Sequence, residues 1–189
     1  MGKVTGKGAL RLLYLIMVLE IFAVSVQLPT MPAMFESYGM DLTWQGWTMS
    51  AYSVISFFVA PLLGRLSDSV GRVAMLQLSA AGGVTGALGS LYAPTKWAFI
   101  ASRTLPALVK CSLPVSQAYV VDISGDGAER SKNLGMLSAT FGMAFVIGPS
   151  LGGLVSSVYP RAPSAIAAAA SGLVLLLAQN FLPEPSPSP

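Results

Sequence analysis

Residues 134–157 read LGMLSATFGMAFVIGPSLGGLVSS. The stretch carries no charge and is long enough to cross the hydrocarbon core of a bilayer as a helix. Its apolar residues run continuously and do not alternate, so a barrel strand is excluded and an α-helix remains. Five further apolar runs surround it, at about 10–31, 43–63, 73–93, 97–121 and 164–182. Polar or turn-forming segments separate them: Glu36 to Asp41, Gly64 to Arg72, Pro94 to Lys96, Asp122 to Lys132, and Pro160 to Pro163. The expected fold is all-α, with six transmembrane helices in residues 1–182. Residues 183–189, PEPSPSP, form a Pro/Ser tail that cannot continue a helix.

Composition agrees. Of 189 residues, 53% are hydrophobic and only 10% are charged, against about 25% charged in soluble domains. The mean hydropathy is +0.67. Such a chain is not disordered, and it has too few charges to cover a water-facing surface. The net charge of +3 gives no reason to expect a nucleic-acid partner. Cys111 is the single cysteine, and there is no histidine. Histidine catalysis, histidine metal ligation and a histidine proton relay are excluded. No facing acidic pair suggests an intramembrane enzyme, and no cofactor or metal is expected. The basic start lacks a signal-peptide cleavage pattern. Gly6 occupies the position where a myristoylation signal has Ser or Thr.

Basic residues give the orientation. With the N-terminus inside, Lys3, Lys7, Arg11, Arg65, Arg72, Arg130 and Lys132 face the cytoplasm, against Lys96 and Arg161 outside. Six spans then place both termini in the cytoplasm. The sequence does not name the membrane.

Three charges fall inside spans: Glu20 in the first, Arg103 and Lys110 in the fourth. A charge at mid-bilayer costs about 2.5–3.5 kcal/mol on insertion scales, so each needs a reason. Gln27 lies seven residues beyond Glu20, and Arg103, Lys110 and Gln117 are spaced by seven, which puts each set on one helical face. If spans one and four share a cavity, Glu20 levels with Lys110 and Gln27 with Arg103. Such a set reads either as a static ion pair that fixes packing or as a polar pathway with Glu20 carrying the proton.

Small residues mark close packing. Gly82, Gly86 and Gly89 lie in the third span; Gly135, Gly142, Gly148, Gly152 and Gly153 lie in the fifth. Spacings of four let helix backbones approach. Pro149 should bend the fifth span, and Pro106 and Pro114 should distort the fourth. In the 64–72 turn, Gly64 and Gly71 permit unusual backbone angles, and Asp68 can cap a helix start or meet another helix end.

Together these residues resemble the N-terminal half of the major facilitator superfamily. Gly64-x-Leu66-x-Asp68-x-x-Gly71-Arg72 is similar to the family's signature between spans two and three, GxLaDrxGrk, departing at Ser69 and Val73. Gly135-x8-Ala144-x3-Gly148-Pro149-x2-Gly152-Gly153 resembles the fifth-span antiporter motif, with Ala144 in place of one glycine. Glu20 followed by Pro29 and Pro32 is similar to the first span of tetracycline-efflux and related drug:proton antiporters. Arg103 resembles their membrane arginine, although Ala107-Leu108 stand where Gln-Gly usually follows. Lys110 resembles eukaryotic organic-cation-transporter-like members.

The resemblance implies alternating access between two six-helix halves. It implies that Asp68, Arg72 and Asp122 form a gate network on the cytoplasmic side. It also implies proton-coupled antiport or efflux of a small organic solute, a cation among the candidates. The family has twelve spans, and this chain carries six. A truncated product is the expectation; a homodimer and assembly with a separate half are the alternatives. The rival class is a non-transporting six-span protein with a structural or regulatory role. The partners implied are the bilayer, the solute and protons.

Overall fold

The computed structural model describes residues 6–125 and 127–185. Lys3 and the tail beyond Pro185 lie outside the described residues. The described chain is helical, with no strand. Helix α1 spans Lys7–Ser25, a 3-10 turn follows at Leu28–Thr30, and α2 spans Met31–Ser37. Then come α3 (Leu42–Val70), α4 (Arg72–Tyr92) and α5 (Lys96–Thr104). A 3-10 turn at Leu105–Leu108 leads to α6 (Ser112–Ile123), α7 (Ala128–Ser156) and α8 (Ala162–Phe181).

Four segments are long and apolar enough to cross a membrane: Gly8–Ser37, Leu42–Val70, Ala128–Ser156 and Ala162–Phe181. The other two expected spans differ for separate reasons. Helix α4 has sufficient length at 21 residues, but its Gly, Ser and Thr residues dilute its apolar character. The expected span at 97–121 is not one helix. It breaks between Thr104 and Ser112, where Pro106 lacks the N–H an α-helix would need and its ring clashes with the preceding turn. Pro114 sits in the first turn of α6, where no N–H is required. By contrast, α3 and α7 run through Pro61 and Pro149 as continuous helices.

The expected turn at 64–72 shrinks to one residue. Helix α3 continues to Val70, and only Gly71, at φ 110°, leaves the helical path before α4 starts. Gly64 is therefore an ordinary helical residue with open space around it. Asp41 caps α3 by accepting from the Thr43 and Trp44 amides at 3.1 and 3.2 Å.

Helix α1 is the hub, packed against α7, α8 and α6, and α4 lies along α8. Leu13, Ile16 and Met17 of α1 join Leu76, Tyr119 and Val174 in the main core. Glycines of α4 also allow close packing against α5 and the 3-10 turn after it. A Cβ on Gly86 would lie 2.6 Å from Pro106 Cγ, and one on Gly89 2.7 Å from Ser102 Cβ. Helices α3 and α7 instead turn large apolar side chains outward, among them Phe57, Phe58, Val146 and Leu154.

Candidate functional site

Glu20 is 2% exposed, in the C-terminal half of α1. Its Oε1 receives the ammonium of Lys110 in an ion pair. Ser79 of α4 donates to the same oxygen at 3.4 Å. Oε2 is buried with no hydrogen-bond partner among the described residues. Lys110 comes from the non-helical link between the 3-10 turn and α6. The proline break thus places the lysine, because a continuous helix would have carried it on a rigid face.

Two cavities meet at this pair. One, of about 260 Å³, is lined by Gln27, Met31, Phe35, Arg103 and Lys110 among others. The second, of about 240 Å³, is lined by Glu20, Lys110, Pro114 and Phe145 among others. Val24, Tyr52 and Lys110 border both. The predicted levelling of Glu20 with Lys110 is a direct contact, while Gln27 and Arg103 share one cavity wall. Gln27 donates to Ala23 O at 2.8 Å and accepts from Ser164 at 3.4 Å.

Arg103 has a different setting. Its guanidinium lies 5.6 Å from the Phe99 ring centre, and Nη2 approaches Met34 Sδ at 4.0 Å. Its Nε is buried without a partner, and no carboxylate pairs with it among the described residues. Gln117 is exposed on α6 and lines neither cavity. The break between Thr104 and Ser112 resets the helical phase, so the spacing of seven does not keep Gln117 on the face of Arg103 and Lys110.

A second cluster surrounds Arg72. Its Nε donates to Asp122 Oδ2 at 3.0 Å, and Nη1 meets Asp68 Oδ1 and Ser67 Oγ, both at 2.5 Å. Asp68 does not cap α4. Glu184 does so instead: its carboxylate accepts from the backbone amides of Arg72 and Val73. Tyr119 donates to Pro183 O at 2.7 Å. Two residues of the expected tail therefore belong to the packed bundle.

The fifth-span glycines divide. A Cβ on Gly148 would strike Ser25, and one on Gly152 would strike the Val26 carbonyl. Gly135 and Gly153 have nothing within 4 Å of such a Cβ. Pro149 lies between the close pair, inside α7.

The sequence pattern of the Major Facilitator Superfamily matches residues 13–189. The chain belongs to that superfamily. The class C tetracycline resistance protein of Escherichia coli is 36% identical over 132 residues, covering 70% of this chain and 33% of that protein. Human major facilitator superfamily domain-containing protein 10 is 30% identical, covering 92% of this chain and 44% of that protein. The crystal structure of the human organic anion transporter MFSD10 (TETRAN) superposes with a TM-score of 0.81 at 25% identity. That match covers 95% of this chain and 48% of the transporter. The chain thus spans between a third and under half of the curated relatives it matches. Membership and the apolar helices make it an integral, multi-pass membrane protein.

Within this superfamily member, several side chains of the two clusters escape sequence reasoning, among them Ser79, Tyr52 and Glu184. Ser79 and Tyr52 are a polar residue and an aromatic in apolar runs, which is no signal by itself. Glu184 stands among prolines beyond the last span, and only the fold returns it to α4. Glu184 and Gly71 make a prediction together. A Cβ on Gly71 would sit 2.7 Å from the Glu184 carboxylate, and a φ of 110° disfavours any L side chain. Gly71→Ala is expected to destabilise the chain by about 1–2 kcal/mol. Glu184→Ala is expected to cost about 1 kcal/mol, as loss of a helix cap does. Thermal unfolding of the purified chain in detergent checks both.

Proposed function

We propose that this chain is the N-terminal six-helix half of a proton-coupled transporter of small organic solutes. In this reading α4 and the broken α5–α6 unit are the third and fourth spans, beside the four strongly apolar segments. Residues 1–182 form the transmembrane domain, 183–189 follow it, and both termini face the cytoplasm. Glu20 is the proton site, with Lys110 as its charge partner and Gln27 and Arg103 in the solute cavity. The observation that carries the reading is the Glu20–Lys110 pair, buried where two cavities meet. An ionisable carboxylate held inside a membrane helix is costly and has function as its default explanation.

Asp68, Arg72 and Asp122 form the gate network, with Gly71 as its hinge. Gly148, Pro149 and Gly152 hold α7 close to the end of α1. Exchange against protons, or efflux, is the direction that the resemblance of Gly135–Gly153 to the antiporter motif implies. The names of the relatives, tetracycline resistance proteins and an organic anion transporter, support a small organic cargo. A second six-helix half completes the transporter. The outward apolar faces of α3 and α7 support that assembly, since the halves of such transporters are parallel repeats.

Proteoliposomes holding the full chain test this with tetracycline as the probe. An imposed pH gradient is expected to drive tetracycline movement, and a protonophore is expected to abolish it. Glu20→Gln is expected to reduce gradient-driven movement at least about tenfold, the scale on which losing one charge-assisted interaction acts. Absence of driven flux in every oligomer would make the chain a non-transporting membrane protein.

A further inference from the structure

We propose that Lys96 and the tryptophans around it form a headgroup site for an anionic phospholipid. The chain has three tryptophans, Trp44, Trp47 and Trp97. All three stand in the first two turns of α3 or α5. The Trp44 and Trp97 rings meet edge to face at 5.8 Å, so the two helices begin side by side. Trp47 follows Trp44 by three residues and shares its side of α3. Helix α3 has 29 residues, a length of about 43 Å, which matches a bilayer of about 40–45 Å with its headgroups included. Its first turns therefore sit at headgroup level, where tryptophan collects.

This corner offers donors and no free acceptor. The Lys96 ammonium lies 5.4 Å from the Trp97 ring centre and 5.9 Å from that of Trp44. Among the described residues no carboxylate comes within 4.0 Å of it, and none of the three indole N–H groups has an acceptor. The nearby acceptors are already used. Asp41 Oδ1 accepts from the Thr43 and Trp44 amides, and Oδ2 from the Thr43 hydroxyl. Thr95 Oγ1 accepts from the Ala98 amide at 3.3 Å. An ammonium and an indole nitrogen can only donate. A phosphodiester supplies what they lack, acceptor oxygens that carry a negative charge, and the glycerol esters below it add neutral acceptors. The acyl chains then lie along exposed apolar side chains deeper in the two helical runs, Trp47 and Leu105 among them. The indole faces hold the lysine stem before lipid arrives, so binding costs little side-chain entropy. A protein cover would bury the unpaired ammonium unless it brought its own carboxylate. A phospholipid leaves that ammonium at the water boundary. The site does not depend on transport: a chain that moves no solute would still hold the lipid.

Tryptophan fluorescence of the purified full chain in nanodiscs tests this, because every tryptophan of the chain belongs to the cluster. Nanodiscs of phosphatidylcholine receive increasing amounts of either phosphatidylglycerol or phosphatidylcholine brominated on the acyl chains, and bromine quenches an indole that it touches. Brominated phosphatidylglycerol is expected to quench at about fivefold lower mole fraction than brominated phosphatidylcholine, the factor that one basic residue near an anionic headgroup supplies. Lys96→Gln, an exposed substitution, is expected to make the two lipids equal, and Lys96→Arg to keep the preference. Arg161→Gln, which removes the exposed cation before α8, is expected to change nothing. A large excess of inorganic phosphate is expected to leave the quenching intact. Equal quenching by the two lipids in the unaltered chain, or a preference that survives Lys96→Gln, overturns the site. Loss of the preference in Arg161→Gln as well would reduce it to general surface charge. Relief of quenching by phosphate would make it a site for the free anion. No quenching by either lipid would mean that protein, a second copy or a second half, covers the corner, and that too overturns the proposal.

Discussion

Gly152→Ala is expected to destabilise the purified chain by at least about 2 kcal/mol, while Gly153→Ala beside it is expected to stabilise it by up to about 1 kcal/mol. Both residues lie inside α7, so both gain helix propensity from a methyl group. Their surroundings differ completely. A Cβ on Gly152 would fall on the carbonyl oxygen of Val26, with the carbonyl carbon at 2.9 Å and Cα at 3.3 Å. These are backbone atoms and cannot swing aside as a side-chain tip could. Val26 is itself fixed, since it is fully buried directly after α1. The neighbouring Ser25 hydroxyl donates to Ala144 O of α7 at 3.1 Å. Relief requires α1 and α7 to separate, and α1 is the hub of the bundle. A Cβ on Gly153 meets nothing within 4 Å. Thermal unfolding in detergent, followed by helix circular dichroism, reads the difference directly. Equal shifts for the two variants would mean that α1 and α7 are not in backbone contact. Gly148→Ala is expected to fall between them, because part of its obstruction is the Ser25 side chain.

This division within one glycine motif shows what the sequence could carry. The spacing of Gly148 and Gly152 identified a face for close helix approach, and that face meets α1. Spacing alone could not say that Gly135 and Gly153 point into open space, because that depends on which helix lies opposite. The apolar runs likewise revealed long helices at 42–70, 128–156 and 162–181 to within a few residues at most ends. The exceptions have two causes, a tertiary contact at one place and a local helix breaker at the other. Around 64–72 the polar residues suggested a loop, yet α3 stays helical because Ser67 and Arg72 have partners there and only Gly71 must leave the helix. At 97–121 apolar continuity suggested one span, and Pro106 broke it.

The site was legible in the same uneven way. Charges in apolar runs are rare enough that Glu20, Arg103 and Lys110 stood out at once. Depth along antiparallel spans was enough to pair Glu20 with Lys110, because level is set by residue count from the membrane ends. Gln117 failed that logic, since its phase was counted through a helix that does not exist between Thr104 and Ser112. Glu184 was invisible for the opposite reason. A carboxylate just past a final helix has no periodicity, and its partners are backbone amides that the sequence does not mark.

The second large effect concerns the Glu20–Lys110 pair. Lys110→Met is expected to destabilise the chain by about 3–5 kcal/mol near neutral pH, the usual range for removing one partner of a buried ion pair. Glu20 is 2% exposed, and its second oxygen already lacks a partner among the described residues. Without the lysine, Ser79 alone would remain on the carboxylate, at 3.4 Å. Glu20→Gln is expected to cost less. The side chain of Lys110 is 19% exposed and borders both cavities, so its ammonium can find water when the carboxylate is gone. The double variant Glu20→Gln with Lys110→Met is expected to recover most of the loss, because a neutral amide and a thioether leave no buried charge. The double variant separates this account from simple loss of packing, because a packing defect would persist in it. Denaturation of the four proteins in one detergent closes the thermodynamic cycle, and a coupling energy near zero would show that the pair does not hold the bundle together.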